Sequence, residues 1–482
     1  MMITFSRREA LTGICSIAGA ALLSDCAVNP VTGKREFMLM SESKEISMGK
    51  QAHSDIVKSF GSFNDDTIQS WFDERGQEMA KVTHRSKLSY TFTVLDSPVV
   101  NAFAVPGGYV YVTRGILGYF NNEAQFAGVL AHELGHVNAR HTAARYSKAQ
   151  LANLALGIGS IFSEEFAKYA QFASLGVSLM FLKFSRNDER EADKLGVEYS
   201  SEVGYDASEM SQFFHTLERM RPEGGSLPHW ASTHPDPGDR VKATLKMARN
   251  FQNTHQDKEF FIKRNGYLEL IDGMIFGEDP RQGYVKENTF YHPGMKLLFP
   301  VPTGWKLTNN PTEVRMAPEG QKAVLIFTFA PGDSPQDAAL KFAQENKVTI
   351  INNKSITVNG MNGHHITGKI KEDNSEIVLI SYFIRKEGYV FVFHGLSSPA
   401  NSGTYEKKFD DTAYGFGELT DKSLLDVTPE KIQLRSANSR KTFKEVINDF
   451  DVPEKEHEEL AIINGMELNQ EIDTGTKIKI IS

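Results

Sequence analysis

The chain has 482 residues, of which 40% are hydrophobic and 24% are charged. These proportions are ordinary for globular protein, and the length allows two to four domains. The net charge of −8 and the lack of a long basic run exclude nucleic acid as an expected partner. Both cysteines, Cys15 and Cys26, stand near the N-terminus, so the body of the protein cannot contain a disulfide framework.

The N-terminal stretch has the pattern of an export signal. Two arginines precede an apolar run, Ala10–Leu23, which matches the length of a signal-peptide core and is too short to span a bilayer. The next residues, Leu23-Ser24-Asp25-Cys26, resemble a lipobox, so residues 1–26 are predicted to be a signal peptide ending at a lipidated Cys26. An uncleaved anchor helix and a buried N-terminal helix remain open, as does the choice between Sec and twin-arginine export.

The residues after this signal predict two helices and three strands. Apolar residues recur at helical spacing over Ser41–Phe60 and Thr67–Lys81. Strands are expected at Tyr90–Leu95, Val99–Val105 and Tyr109–Thr113, and a Pro-Gly-Gly turn joins the last two.

A helical pattern from Asn121 to Ala144 contains the stretch His132-Glu133-Leu134-Gly135-His136, an instance of HExxH. Residues four apart lie on one face of a helix, so the imidazoles of His132 and His136 can reach one metal ion. Glu133 is beside that pair, where its carboxylate can act as a general base on water. A pentamer this short also arises by chance, and two histidines on a solvated helix face are the simpler alternative.

A second helical pattern supplies carboxylates at a compatible spacing. In Ser185-Arg186-Asn187-Asp188-Glu189-Arg190-Glu191-Ala192-Asp193, residues Glu189 and Asp193 are four apart and share a face. One carboxylate is a candidate third metal ligand, and the other can accept the outward N–H of a ligating histidine. The alternative is an ordinary charged helix.

Four stretches together resemble the HExxH zinc metallopeptidase family that includes HtpX, BepA and the CAAX prenyl proteases. These stretches are Asn101-Ala102-Phe103-Ala104 with Pro106-Gly107-Gly108, HELGH, SRNDEREAD, and His234-Pro235 with Arg240. The resemblance covers roughly residues 28–280 and is strongest to the periplasmic BepA-like branch. It ends after about residue 280, where tetratricopeptide periodicity is lacking. The resemblance implies that the third ligand is Glu189 rather than Glu191, and that Asp193 supports a ligating histidine.

The resemblance also implies a reaction. One zinc ion per chain is expected, held by His132, His136 and Glu189, with Glu133 as the catalytic base of peptide-bond hydrolysis. Residues Asn101, Ala102, Phe103 and Ala104 are expected to form an edge strand. An extended substrate can pair with such a strand through main-chain hydrogen bonds.

His234 is the candidate regulatory residue. It lies in the stretch from Leu227 to Pro237, which is rich in proline and is predicted to be a loop. In BepA-like relatives the matching histidine occupies the fourth zinc position and keeps the enzyme latent. A simple loop histidine, or one that steadies the tetrahedral intermediate, remains open. Arg240 is expected to hold this loop or to stabilise the oxyanion.

The last 200 residues predict two further domains. The turn-forming stretch Gly277–Gly283 marks a boundary, after which short strands and a helix indicate an α+β domain of one sheet, residues 284–420. The adjacent His364 and His365 of one strand point to opposite faces and cannot chelate together. Residues 424–482 have the order strand–helix–helix–strand and resemble a LysM-like, glycan-binding module.

The sequence therefore predicts a multidomain α+β protein. A mainly helical zincin (gluzincin-type) domain with a small β-sheet is expected at 27–278, followed by the α+β domain and the βααβ module. The predicted activity is zinc-dependent endopeptidase action on unfolded or misassembled cell-envelope proteins, at the periplasmic face of a membrane, expected to be the outer membrane. Expected partners are unfolded polypeptides, peptidoglycan or the outer-membrane assembly machinery, and the membrane through lipidated Cys26. An envelope chaperone or scaffold with a capped or vestigial zinc site is the alternative function, and a structural zinc site is a third.

Overall fold

The computed structural model describes residues 26–38, 40–156, 183–220, 229–235, 237–330, 332, 334–372 and 375–482. They divide into two compact units. The first contains the chain up to Gly277, apart from Lys58–Phe60, together with Lys431–Ser482; the second contains Glu278–Glu430 and Lys58–Phe60. The signal peptide predicted at 1–26 falls almost wholly outside the described residues. Over the described ranges, every helix is too short or too polar to cross a bilayer.

The first unit is mainly helical. Its strands before residue 278 are β1 Cys26–Val28, β2 Arg35–Phe37, β3 Thr91–Leu95, β4 Ala102–Val105 and β5 Tyr109–Thr113. Its helices in the same range are α1 Glu42–Phe60, α2 Asp66–Ala80, α3 Arg114–Leu117, α4 Glu123–Asn138, α5 His141–Leu156, α6 Arg186–Glu202, α7 Glu209–Arg219, α8 His229–Thr233, α9 Pro237–Thr254 and α10 Arg264–Ile271. The predicted α+β class is confirmed.

Local signals explain where the main helices begin. The side chains of Ser41, Asp65, Asn122 and Ser185 accept hydrogen bonds from the first turns of α1, α2, α4 and α6. The small sheet has the order β3-β5-β4 in the part of the chain that is described, with β3 parallel and β4 antiparallel to β5. Gly107 and Gly108 make the tight turn between β4 and β5 at positive φ. The strand order places β4 at an edge of this sheet.

The prediction of one helix over Asn121–Ala144 is wrong. Helix α4 ends at Asn138, Arg140 adopts a φ of 59°, and α5 starts at His141. The left-handed backbone at Arg140 is held from outside the helix, because its guanidinium donates to Glu45 Oε2 at 2.8 Å and to the Met40 carbonyl at 2.9 Å. The predicted loop from Leu227 to Pro237 is also interrupted, because α8 forms within it.

The second unit is built on two sheets, so the prediction of one sheet with one helix is wrong. Among the described residues, a seven-stranded sheet has the order β12-β13-β14-β15-β11-β10-β9, and a four-stranded sheet has the order β16-β8-β7-β6. The strands are β6 Tyr284–Lys286, β7 Thr289–His292, β8 Leu297–Pro300, β9 Trp305–Asn310, β10 Glu313–Pro318, β11 Ala323–Ala330, β12 Thr349–Val358, β13 Met361–Glu372, β14 Ser375–Lys386, β15 Tyr389–Ser397 and β16 Gly417–Glu418.

Three helices accompany these sheets: α11 Pro335–Glu345, α12 Ser402–Tyr414 and α13 Lys422–Leu425. The central strands are covered on both faces. Phe383 and Val392 pack in a cluster with α11, whereas Tyr382 and Phe393 pack in a cluster with Phe409 of α12. Strands β9 and β10 escape prediction because they are short, carry polar side chains and end beside Asn or Pro.

The C-terminal segment belongs to the first unit. Its elements are β17 Ile432–Ser436, β18 Lys441–Thr442, α14 Phe443–Asn448, α15 His457–Asn464, β19 Glu471–Ile472 and β20 Lys477–Ile481, with β17 antiparallel to β20. The buried Lys479 Nζ donates to the carbonyls of Gly118 and Phe120, at 2.8 and 2.9 Å. Those carbonyls stand immediately before the Asn122 cap of α4, so the segment fixes the start of that helix.

We predict that Lys479→Met changes the pH dependence of stability. Full burial and the nearby Arg264 lower the pKa of Lys479 well below its ordinary value. Between the lowered pKa of the folded state and the unfolded pKa of about 10.4, the unfolded state therefore binds more protons than the folded state, and stability rises with pH. The unfolding free energy of the wild type, relative to the variant, should rise between pH 7 and pH 10 by up to about 1.4 kcal/mol per pH unit. Urea denaturation of both proteins measures this difference, and parallel pH profiles would contradict it.

Candidate metal centre

Helix α4 carries His132, Glu133 and His136, and it is buried on every side. Its close neighbour is α6, and the contact depends on Gly135. A Cβ at that position would lie 3.1 Å from the Cα and carbonyl oxygen of Ala192. Only a glycine lets the two helices approach this closely without displacing backbone. The histidines of α4 consequently face the carboxylates of α6.

Four buried side chains of the described residues converge on one point: His132, His136, Glu189 and His234. Their candidate ligand atoms all lie within 4.8 Å of one another. His132 Nε2 is 3.1 Å from His136 Nε2 and 3.3 Å from His234 Nδ1. Glu189 Oε1 is 3.1 Å from His234 Nδ1 and 3.5 Å from His136 Nε2.

These spacings suit a small metal ion. Bonds of about 2.0–2.1 Å in a tetrahedral site place ligand atoms about 3.3 Å apart. His132 Nε2 lies 3.1, 3.3 and 3.7 Å from atoms of His136, His234 and Glu189. Three imidazole nitrogens and a carboxylate are buried facing one another, and a bound cation would satisfy their lone pairs. The residues present therefore fit a bound metal ion of the size of zinc.

The protonation states support the same conclusion. Burial lowers the pKa of His132 to about 4, and it lowers the pKa values of His136 and His234 well below the ordinary value. Burial also raises the pKa of Glu189 to about 7, despite the opposing charge of Arg240. Neutral imidazole is the form that ligates metal ions, and the three histidines are neutral at pH 7.

Asp193 and Arg240 hold this group from behind. His132 Nδ1 lies 3.0 Å from Asp193 Oδ1, which directs the Nδ1–H to the carboxylate and leaves Nε2 free to ligate. Burial opposes ionisation of Asp193, but Arg240 and its hydrogen bonds hold the pKa at about 2. Arg240 donates to both Asp193 oxygens, at 2.6 and 2.8 Å, and its Nη1 lies 2.9 Å from Glu189 Oε2. Its guanidinium thus contacts both carboxylates, and Nη1 is buried without a hydrogen bond of good geometry among the described residues.

Trp230 of α8 is a site residue that sequence reasoning missed. It is fully buried, and its Nε1–H donates to Glu133 Oε1 at 3.2 Å. Its ring stacks on His234, with centroids 4.5 Å apart and planes 17° apart. No local pattern marks this tryptophan as a partner of Glu133, because the two residues are 97 positions apart. Burial, together with the nearby Glu189 carboxylate, raises the pKa of Glu133 well above its ordinary value, although the Trp230 hydrogen bond opposes this.

The predicted substrate strand lies at the sheet edge. Ala102, Phe103 and Ala104 belong to β4, and Asn101 immediately precedes it. All four residues are buried, and the adjoining Val100 carbonyl accepts a hydrogen bond from the Trp230 backbone N–H at 3.2 Å. Both amide atoms of the Asn101 side chain are buried without a hydrogen-bond partner among the described residues. A buried amide in this position can bind a polar ligand group.

Comparison with known proteins agrees with this geometry. Residues 67–248 match the sequence model of Peptidase family M48. A putative beta-barrel assembly-enhancing protease of Vibrio cholerae is 31% identical over 199 residues, which are 39% of this chain and 40% of that protein. The beta-barrel assembly-enhancing protease of Escherichia coli is 28% identical over 254 residues, or 50% and 52% of the two chains. The mitochondrial metalloendopeptidase OMA1 of Arabidopsis thaliana is 31% identical over 179 residues, or 37% and 36%.

The chain thus spans about half or less of the length of each of these relatives. The matched segment contains every residue of the buried group, from His132 to His234. These likenesses support a metallopeptidase.

Proposed function

We propose that this protein is a zinc-dependent endopeptidase that hydrolyses peptide bonds of unfolded or misassembled cell-envelope proteins. The observation that carries the proposal is the buried group of His132, His136 and Glu189 beside the Glu133 carboxylate. Its position within the segment that matches Peptidase family M48 supports the same reaction.

The chemistry divides between the metal and the chain. Two imidazoles and a carboxylate would hold zinc, which suits such N,N,O donors. The chemistry that zinc supplies in such a site is Lewis-acid polarisation of the scissile carbonyl and of the attacking water. Glu133 accepts the proton of that water and delivers it to the leaving amine, as its position one residue from His132 allows. Asp193 and Arg240 keep His132 and Glu189 oriented throughout.

The edge strand β4 supports an extended polypeptide as the substrate. In this proposal a peptide pairs with the edge of the sheet at Ala102–Ala104, which is buried in this structure, and the buried amide of Asn101 offers a hydrogen-bonding group at the end of that strand. Main-chain pairing selects for unfolded segments rather than for a particular side chain. That preference matches a quality-control peptidase, which must accept many sequences.

We further propose that the resting enzyme is latent. His234 Nδ1 approaches the ligand atoms closely enough to close the metal site, at 3.1 Å from Glu189 Oε1 and 3.3 Å from His132 Nε2. In the same arrangement, the Trp230 Nε1–H donates a hydrogen bond to Glu133, the proposed catalytic base. Substrate or a partner would withdraw α8 and His234 together, which would free the fourth metal position and Glu133.

The place of action is proposed to be the periplasmic side of the outer membrane, with lipidated Cys26 as the anchor. Two of the relatives bear the name beta-barrel assembly-enhancing protease, which supports outer-membrane assembly machinery as a partner. Residues 432–481 have the order strand–strand–helix–helix–strand–strand, and the two helices between the outer strands are compatible with a LysM-like contact to peptidoglycan. Membrane fractionation of a Cys26→Ser variant tests the anchor, because retention in the membrane would assign anchoring to another segment.

We predict that Glu133→Gln retains zinc and lowers the cleavage rate by about 10²–10⁴-fold, because the ligands remain and the general base is lost. Zinc content and casein cleavage should be measured on the same preparation. His132→Ala is the matched control, since it should lose both metal and cleavage. Full activity of Glu133→Gln would refute the role of Glu133 as the base.

We predict that His234→Ala raises basal cleavage of an unfolded substrate while zinc stays bound, because the fourth metal position becomes open. His215→Ala serves as the control, since this histidine is about half exposed on α7 and should not change the rate. Zinc bound at full occupancy with no cleavage would assign His234 to catalysis instead. An unchanged rate would mean that His234 does not restrain the enzyme.

A further inference from the structure

The two ring nitrogens of His136 face different surroundings. Nε2 points into the candidate metal group, 3.1 Å from His132 Nε2 and 3.5 Å from Glu189 Oε1. Nδ1 points away from that group and lies 2.9 Å from His141 Nδ1. His136 therefore has a histidine where His132 has the carboxylate of Asp193.

The contact continues beyond His141 to Glu191. His141 Nε2 lies 3.2 Å from Glu191 Oε2, and His141 itself is only 2% exposed. The other carboxylate oxygen, Glu191 Oε1, is buried without a hydrogen-bond partner in the described ranges. Phe184 stacks on His136 with ring centroids 3.9 Å apart, which excludes water from one face of the imidazole. The three side chains form a line from the metal group towards the surface.

This line depends on the break between α4 and α5. Five residues of continuous helix advance about 500° around the axis, so positions 136 and 141 would face directions about 140° apart. The left-handed backbone at Arg140 ends α4 and turns His141 back towards His136. Arg140 is held there by Glu45 and the Met40 carbonyl. The interrupted helix thus has a direct consequence at the site.

The hydrogen-bond geometry admits one consistent set of protons if His136 ligates a metal, which is the premise taken from the proposed function. Ligation through Nε2 leaves the proton of His136 on Nδ1. That N–H donates to His141 Nδ1, so the proton of His141 must lie on Nε2. His141 Nε2–H in turn donates to the carboxylate of Glu191. Each donor meets an acceptor, and the line ends on a negative charge.

We infer that His141 and Glu191 are positioning residues for the metal ligand His136. They fix its tautomer, hold the plane of its ring and strengthen it as a donor to the metal. His132 receives the same support from Asp193 and Arg240. Glu191, two residues from the ligand Glu189 on α6, acts through His141 and does not touch the metal. The site therefore has two separate supports, one for each histidine of HELGH.

Metal affinity of the apoprotein tests this assignment. His141→Leu keeps the approximate shape and removes the acceptor, whereas His141→Asn places an oxygen where Nδ1 stands. Competition with a chromophoric chelator should show zinc binding about 10–100-fold weaker in His141→Leu, with most of that loss recovered in His141→Asn. Equal affinity of His141→Leu and wild type, or an equal loss in both variants, would overturn the inference. A wild type that binds no zinc would overturn the proposed function as well.

The second variant pair addresses Glu191 and guards against misfolding at His141. Glu191→Gln keeps an acceptor and removes the charge, and Glu198→Gln is a matched change two turns along α6. Cobalt substituted for zinc should show a shifted visible absorption band and weaker binding in Glu191→Gln, and neither effect in Glu198→Gln. Circular dichroism of the apoproteins checks that all variants are folded. Indistinguishable cobalt spectra and affinities for Glu191→Gln and wild type would overturn the role of Glu191.

Discussion

The structure of the site depends on the buried ion pairs of Arg240 with Glu189 and Asp193. Two carboxylates so close together in a dry interior repel each other, and each ionised group costs several kcal/mol to desolvate. The guanidinium offsets both charges, with contacts of 2.6–2.9 Å, and it joins α9 to α6. Asp193 in turn orients His132. The Arg240 guanidinium therefore holds the proposed ligand Glu189 directly and the proposed ligand His132 through Asp193. A metal ion would accept the lone pairs of the three neutral imidazoles and of Glu189.

The same guanidinium also supports the segment that contains Trp230 and His234. Its Cζ lies 4.3 Å from the ring of Phe214 and 5.0 Å from the ring of Trp230, so the indole packs against the cation. Trp230 then carries its contacts to Glu133 and His234 from one short helix. Cation–π contacts are worth about 0.5–2 kcal/mol and a neutral hydrogen bond about 1 kcal/mol. Contacts of these magnitudes hold α8 in place beside the candidate centre.

The helix that carries HELGH is supported at both ends by distant residues. Lys479 binds the carbonyls of Gly118 and Phe120 before its N-cap, and Arg140 reaches Glu45 and Met40 just after its end. Residues 431–482 therefore help to position the helix that carries the candidate centre. The left-handed residue at the far end redirects the chain so that His141 returns to His136. The position of the candidate metal ligands thus depends on Lys479 and on Glu45, which are more than 400 residues apart in the chain.

Local sequence determined much of this protein. The spacing in HELGH and between Glu189 and Asp193 predicted which side chains share a helix face, and capping residues such as Asn122 explain where helices begin, because both depend on neighbours within one turn. Tertiary structure alone decided that the HELGH helix stops at Asn138, that Trp230 reaches Glu133, and that His141 and Glu191 stand behind His136. It also decided that residues 278–430 form a second sheet and that the C-terminal segment packs within the first unit. These features depend on contacts between residues tens to hundreds of positions apart. The spacing of residues within one helix or strand does not predict such contacts.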